Sequence, residues 1–161
     1  EVEAGPADKV YEVDLTYVTS RGRWYFISWK GDQQKSGGVT TNIGVHFFDM
    51  LGWIFGPLQG MEASRNTKAR ASGILHFARA KVSWFLSVDA NDLPEEARKQ
   101  GMRTCRKISI EGKELEFSGG FTDLHTQSYQ NILKGEGFGI EDTRGSIEVV
   151  SKIRVSQVNV I

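Results

Sequence analysis

The sequence predicts an α+β domain: a mixed, largely antiparallel open sheet with helices on one face. Three observations carry this. Apolar and polar residues alternate with period two in several short runs, those runs are grouped together, and one long apolar stretch with helical patterning, Ser36 to Gly56, stands apart from them. The repeated strand, helix, strand order of a doubly wound parallel sheet is not the pattern found.

Taken in order, Tyr11, Val13, Leu15 and Tyr17 alternate with Glu12, Asp14, Thr16 and Val18, the mark of a half-buried strand. A turn at Ser20 to Arg23 leads into Trp24 to Trp29, which is short and aromatic and reads as a second strand, and Lys30 to Ser36 reads as a polar loop. Gly37 and Gly38 open the long stretch and Gly56-Pro57 closes it, the order expected of a buried helix. At roughly 100° per residue, Asn42, His46, Asp49 and Trp53 share a sector of about 60°. The remaining positions are mostly apolar, so this polar stripe must face internal partners or a cleft.

Gln59 to Asn66 is a strand by the same reading, and Ala71 to Phe77 with Lys81 to Asp89 forms a hairpin that places Val82, Trp84, Leu86 and Val88 on one face. Leu93 to Gln100 is a short helix, with Pro94 and glutamates in its first turn. Arg103 to Ile110 and Lys113 to Phe117 flank Glu111-Gly112, a two-residue hairpin signal. Asp123 to Leu133 is a helix. Asp142 or Thr143 is expected to cap a last one that turns Ile147, Val150 and Ile153 inward.

A chain of 161 residues is the size of one domain. Residues 1–8 read as a linker or a remnant of something longer, and 9–161 as the domain itself. With 20 basic and 20 acidic residues, no net field favours nucleic acid or an anionic membrane. One cysteine, Cys105, cannot form an intrachain disulfide, which fits a reducing compartment and makes the cytoplasm the default location. There is neither an apolar run of about 18 residues nor a signal-peptide pattern, so no membrane partner is expected.

The stripe on the long helix is where chemistry is sought. An imidazole titrates near neutrality and suits acid-base work, which makes His46 the candidate base; its bland reading is a core histidine held by a neighbouring carboxylate or carbonyl. Asp49 follows three residues on, but with no third nitrogen or sulfur ligand in sight no metal is expected. His76, inside a strand pattern, reads as structural, and His125 as a solvated helix residue. Arg21, Arg23, Trp24, Trp29, Lys30 and Lys35 gather cations and stacking surfaces just before the helix, a combination suited to an anionic ligand with flat groups.

The run GGVTTNIGVHFFDMLGWIFG resembles the active-site helix of the Gfo/Idh/MocA oxidoreductases. More closely, YEVDLTYVTSRGRWYFISWKGD, TNIGVHFFDML, KVSWFLSVDANDLPE and FSGGFTDLHTQSY together are similar to the branch that oxidises the C3 hydroxyl of UDP-N-acetylglucosaminuronate in bacterial surface-polysaccharide (lipopolysaccharide O-antigen) synthesis. The likeness runs from Lys9 to about Ser156. It implies the C-terminal substrate and oligomerisation domain of a two-domain dehydrogenase whose Rossmann half is absent here, with NAD bound mainly by that half and not by this chain alone. GEGFG at Gly135 to Gly139 follows a predicted helix, not a strand, and reads as a loop.

By the same resemblance His46 and Asn42 are catalytic, beside a lysine from the other domain. Many relatives have aspartate where Asn42 stands; an amide orients but takes no proton, and a change to aspartate is expected to be tolerated. Substrate contacts are expected from Lys30, Arg21, Trp29, Thr41 and Tyr129, the Trp29-Lys30 pair falling where relatives carry an aromatic-basic pair. A homo-oligomer is expected through the open sheet face, where rows of tyrosine, tryptophan and phenylalanine would permit it. The isolated domain is expected to be inactive. An alternative is a stand-alone carbohydrate-binding or scaffolding domain that kept the fold and lost the chemistry.

Overall fold

In the computed structural model, residues 2, 5–115 and 123–156 are described. The alternation at the start of the chain forms strand β1, Tyr11–Thr19, with Tyr11, Val13 and Leu15 buried and Glu12 and Asp14 exposed. Three further strands, β2 (Leu58–Asn66), β3 (Arg70–Phe77) and β4 (Ala80–Ser87), make an antiparallel meander. Strand β4 then lies parallel to β1, whose other edge takes the antiparallel hairpin β5 (Thr104–Ile110) and β6 (Lys113–Leu115). The order is β2-β3-β4-β1-β5-β6, a mixed and mostly antiparallel open sheet. Glu111 and Gly112, at φ 52° and 75°, make the tight turn between β5 and β6 that the dipeptide predicts. The expected extension of β6 to Phe117 lies outside the described residues.

Both edges of β1 are occupied, and this explains the first correction. Trp24 to Trp29 is not a strand: β4 and β5 already hold both edges of β1, and the segment folds as helix α1, Gly22–Ile27, entered by Gly22 at φ 67°, followed by a 3-10 turn at Trp29–Gly31. Only Tyr25 of α1 is buried, so its aromatics were never an alternating row. Lys30 to Ser36 is likewise not plain loop. The Asp32 carboxylate accepts from Gln34 N at 2.9 Å and Lys35 N at 3.2 Å, capping the single turn α2, Gln33–Ser36.

The long stretch is helical but not evenly wound. A π turn at Thr40–Gly44, with the Val45 N–H bonded to the Thr40 carbonyl, precedes the regular helix α3, Val45–Phe55. Helix α3 buries Phe47, Phe48, Leu51 and Phe55. These meet the inward row of the sheet: Phe48 lies edge to face on Trp84 at 5.3 Å between ring centroids, and Phe55 lies 6.1 Å from Tyr11. Gly56, at φ 84°, and Pro57 stop the helix.

A 3-10 turn at Ala90–Asp92 and helix α4, Glu95–Lys99, link β4 to β5. Helix α5, Leu124–Leu133, leaves Leu124, Ile132 and Leu133 exposed. Helix α6, Ile140–Val155, packs on α3 and β2. Its cap differs from expectation: Gly139 holds the N-cap position, and the Asp142 carboxylate reaches back to the Gly139 N–H at 2.6 Å. The face turned inward is Ser146, Val149, Val150 and Ile153, and Ile147 is 55% exposed.

Helices α3 and α6 cover one face of the sheet, as expected. The opposite face is not the aromatic surface that the alternation was taken to permit. Register places Tyr11, Tyr17 and Trp84 in one inward row, whereas the open side carries Glu12, Asp14 and Thr16 of β1 beside Lys81, Ser83 and Phe85 of β4 and Lys107 and Ser109 of β5. Alternation fixes which residues share a face, not which face is covered.

One polar clamp closes the sheet end. Arg70 Nε bonds Asp92 at 2.6 Å, its Nη2 bonds Asp89 at 2.7 Å, and Ser87 Oγ donates to Asp92 at 2.5 Å. Burial pushes the Asp92 carboxyl up, but the bonds from Arg70 and Ser87 and the Arg70 charge outweigh it and hold the group below its ordinary range. A lowered folded value means this stability is present above the unfolded carboxylate value of about 3.9 and is lost as pH falls through the folded one. Arg70→Met should therefore cost about 1–3 kcal/mol at pH 7, and the mutant should lose less further stability than the parent between pH 5 and pH 2; equal acid sensitivity in chemical denaturation would refute the clamp.

Candidate functional site

The parallel pair β1 and β4 ends beside α1 and the π turn, and there a cleft of about 430 Å³ opens. Its walls are Tyr17, Ile43, Phe47 and Met50, and its polar groups come from Arg21, Asn42, His46 and Arg106. Tyr17 and Phe47 lie tilted at 50° to one another with ring centroids 5.0 Å apart, and the Arg106 guanidinium lies 5.4 Å from the centre of the Tyr17 ring. The π turn carries Asn42, α3 carries His46, and β5 brings Arg106 opposite Tyr17 by register. No carboxylate lines this cleft among the described residues.

His46 is exposed and so is not a core histidine. Among the described residues nothing hydrogen-bonds its ring: Asp49, three residues on, is exposed and does not line the cleft, and neither does Trp53, 85% exposed. The imidazole therefore lines the cleft without a hydrogen-bond partner among the described residues.

Asn42 is half committed. Its Nδ2 donates to Gly38 O at 2.9 Å, Ser36 Oγ at 3.0 Å and Lys30 O at 3.1 Å, and reaches Tyr25 Oη at 3.5 Å. Two of these partners are carbonyls, which only accept, so the amide can sit one way round and Oδ1 is the atom it offers to the cleft. Burial raises the Tyr25 phenol above its ordinary value, and the Asn42 bond and the Arg21 charge pull the other way. Tyr25 is thus a neutral pillar under the site.

The other expected contacts divide. Arg21 shares the cleft with His46 and Asn42. Trp29 and Lys35 line a neighbouring cleft of about 460 Å³ with Phe26, Asp32 and Lys68. Lys30 stands between the two, its carbonyl bound to Asn42 and its Nζ 5.9 Å from the centre of the Trp29 ring. The Thr41 hydroxyl is turned back onto Gly37 O at 3.1 Å, and Tyr129, 69% exposed on α5, lines neither cleft. Sequence reasoning missed Tyr17 and Arg106. The signal for Arg106 was present: it is the one charge in the inward row Thr104, Arg106, Ile108, Ile110.

Among the described residues no group of His, Cys, Asp and Glu is arranged to hold a metal ion, and no helix is long and apolar enough to cross a membrane. His76 meets Glu62 at 3.4 Å on the open face of the sheet, and His125 is exposed on α5.

Residues 2–91 match the model of the oxidoreductase family, C-terminal alpha/beta domain (GFO_IDH_MocA_C). Among solved structures, the WlbA (WbpB) dehydrogenase from Thermus thermophilus in complex with NAD and UDP-GlcNAcA is 45% identical with a TM-score of 0.88, over 96% of this chain and 50% of that one. The same enzyme in complex with NAD and alpha-ketoglutarate is 47% identical, TM-score 0.88, over 94% of this chain and 49% of that one. The WlbA dehydrogenase from Bordetella pertussis, in complex with NADH and UDP-GlcNAcA, shares the fold at 18% identity and a TM-score of 0.67, over 94% of this chain and 53% of that one. The chain spans about half the length of these proteins.

The geometry reverses the expectation that aspartate is tolerated at position 42. In Asn42→Asp a carboxylate oxygen would face the Lys30 and Gly38 carbonyls in place of a donor. The expected outcome is a loss of about 1–3 kcal/mol in thermal or chemical denaturation at pH 7, and unchanged stability would show that the amide is not the staple described.

Proposed function

The chain belongs to this oxidoreductase family as its C-terminal alpha/beta domain, and from that premise we propose that it is the substrate-binding half of an NAD-dependent dehydrogenase. The substrate is a UDP-N-acetylglucosaminuronate-type sugar nucleotide, oxidised at its C3 hydroxyl during surface-polysaccharide synthesis in the cytoplasm. Residues 9–161 form the domain and 1–8 its linker. The ligands named in the Thermus structures support the substrate and cofactor class. What carries the reading is His46: an exposed imidazole with no hydrogen-bond partner among the described residues, lining a cleft beside Asn42 and Arg21.

In that cleft Tyr17, Phe47 and Met50 seat a sugar ring, and Asn42 Oδ1 accepts a hydrogen bond from a substrate hydroxyl. His46 takes the hydroxyl proton as hydride leaves the same carbon, so a ketone forms and charge does not build up on oxygen. Arg21 favours an anionic ligand. Trp29, Lys30 and Lys35, with the neighbouring cleft, suit the nucleotide end; Thr41 and Tyr129 are weaker assignments, since neither faces a cleft.

A nicotinamide dinucleotide, which supplies hydride acceptance when bound, fits this chain only as a neighbour of the cleft. Gly135–Gly139 lies between two helices instead of after a strand, and Gly137 is packed on Ile132, where a Cβ would lie 2.8 Å from the Ile132 side chain. That loop does not have the strand-to-helix geometry that cradles a pyrophosphate. We assign the phosphate contacts to the other half of the longer protein. Self-association is assigned to the open sheet face, through its mixed charges and hydroxyls and not through aromatic rows.

In the full-length enzyme, His46→Asn should lower kcat by roughly 10²-fold or more with little change in KM for the sugar nucleotide. A variant with parental kcat refutes the assignment. Sedimentation of the purified protein at tens of micromolar should give an oligomer; a monomer there would remove the sheet-face assignment.

A further inference from the structure

Ser36 has no part in the proton transfer just described, yet its hydroxyl stands where three segments meet at Asn42. Its Oγ lies 2.7 Å from Lys30 O and 3.0 Å from Asp32 O, and it receives Gly38 N at 3.1 Å and Asn42 Nδ2 at 3.0 Å. A hydroxyl has one hydrogen to give and two lone pairs to fill. Since the Ser36 backbone N–H already donates to Asp32 O at 2.9 Å, the hydroxyl hydrogen goes to the nearer oxygen, Lys30 O, and the two N–H donors fill the lone pairs. Every bonding position of this half-buried group is taken.

The carbonyls around Asn42 settle which way round its amide lies, but they do not by themselves fix where its oxygen comes to rest. Gly38 O belongs to the turn just before Asn42 and moves with it, and Lys30 is exposed on the 3-10 turn Trp29–Gly31. Ser36 Oγ bonds both Lys30 O and Asn42 Nδ2, which are 3.1 Å from each other, so the three atoms close a triangle. The amide then cannot slide without lengthening one side of it. Gly37 and Gly38, at φ 80° and 74°, reverse the chain tightly enough for residue 36 to face residue 42, and a Cβ on Gly37 would run into the Thr41 side chain. A small displacement of a group that orients a reacting hydroxyl lowers the rate steeply, so a device that fixes Asn42 is a device for turnover.

We infer that Ser36 is a positioning residue for the oxidation: its hydroxyl holds the Asn42 amide where Oδ1 meets the substrate hydroxyl. This rests on the dehydrogenase reading above and adds to it the group that sets the place of the amide. Ser36 lines neither cleft, so its effect reaches the ligand through Asn42.

The test is a double-mutant cycle in the full-length enzyme with UDP-N-acetylglucosaminuronate, read as kcat per folded molecule below the melting transition. Ser36→Ala should lower kcat about 10-fold while KM changes less than about twofold, and Ser36→Thr, which keeps the hydroxyl, should regain most of the loss. Asn42→Ala should lower kcat at least as far, and Ser36→Ala added to it should cost less than about twofold more. A residue that served folding alone would lower the melting temperature and leave kcat per folded molecule unchanged. Should Ser36→Ala not fold, Ser36→Cys, whose thiol is a weaker donor and acceptor, completes the same cycle. Losses at Ser36 and Asn42 that multiply, parental kcat in Ser36→Ala, or parental kcat in Asn42→Ala would each overturn the inference. Any of these beside a His46→Asn enzyme that has lost turnover removes the role of Ser36 and leaves the dehydrogenase reading standing. A parent that oxidises no sugar nucleotide overturns both.

Discussion

The fold depends on one pairing, the parallel contact of β1 with β4. Parallel neighbours cannot be joined by a tight turn, so the chain must leave the end of β1, cross the sheet and return before β4 can form. That crossover carries α1, α2, the π turn, α3, β2 and β3. It lays α3 across the sheet and brings the end of β1, the entrance of α1 and the first turn of the long helix to one place. The cleft is the space that this return journey leaves open, and β5, paired on the far edge of β1, closes it with Arg106.

Around the cleft, side chains separate by whether their polar atoms are already spent. Asn42 has given its amide hydrogens to backbone, Thr41 its hydroxyl to Gly37, and Asp32 its carboxylate to the α2 N–H groups. These residues hold the turn between α1 and the long helix and make the site stiff. His46 is unspent, as is one oxygen of Asn42. A cleft whose scaffold is satisfied internally can present a few unpaired groups without collapsing onto them.

Much of this was legible. Period-two alternation located β1 and the meander, Glu111-Gly112 its hairpin turn, Gly56-Pro57 the helix end, and the greasy helix with a polar stripe led directly to His46. The errors share a cause. Trp24 to Trp29 has strand composition, but whether a strand forms depends on a free edge on β1, which is settled by residues roughly 50 to 85 positions away in β4 and β5. Tyr17 and Trp84 alternate correctly, yet which side the helices cover is a tertiary fact. Arg106 became visible only through register against Tyr17, and the capping of α6 turned on a glycine that alternation cannot rank above Asp142. Local chemistry was read well, and pairings between distant segments were not.

The wide turn at Thr40–Gly44 has a genetic consequence. A π turn is in effect a regular helix with one residue too many, and regular winding is the more stable arrangement. Deleting any one residue between Thr40 and Gly44 would let the helix close normally while turning all that precedes it by about 100° relative to α3. Asn42 and the Gly37-Gly38 entry would then no longer sit over the same side as His46. A lineage that lost this residue would keep α3 but turn the buried Val39 and the Asn42 side away from their present neighbours, so the insertion ties local irregularity to the coincidence of two functional groups.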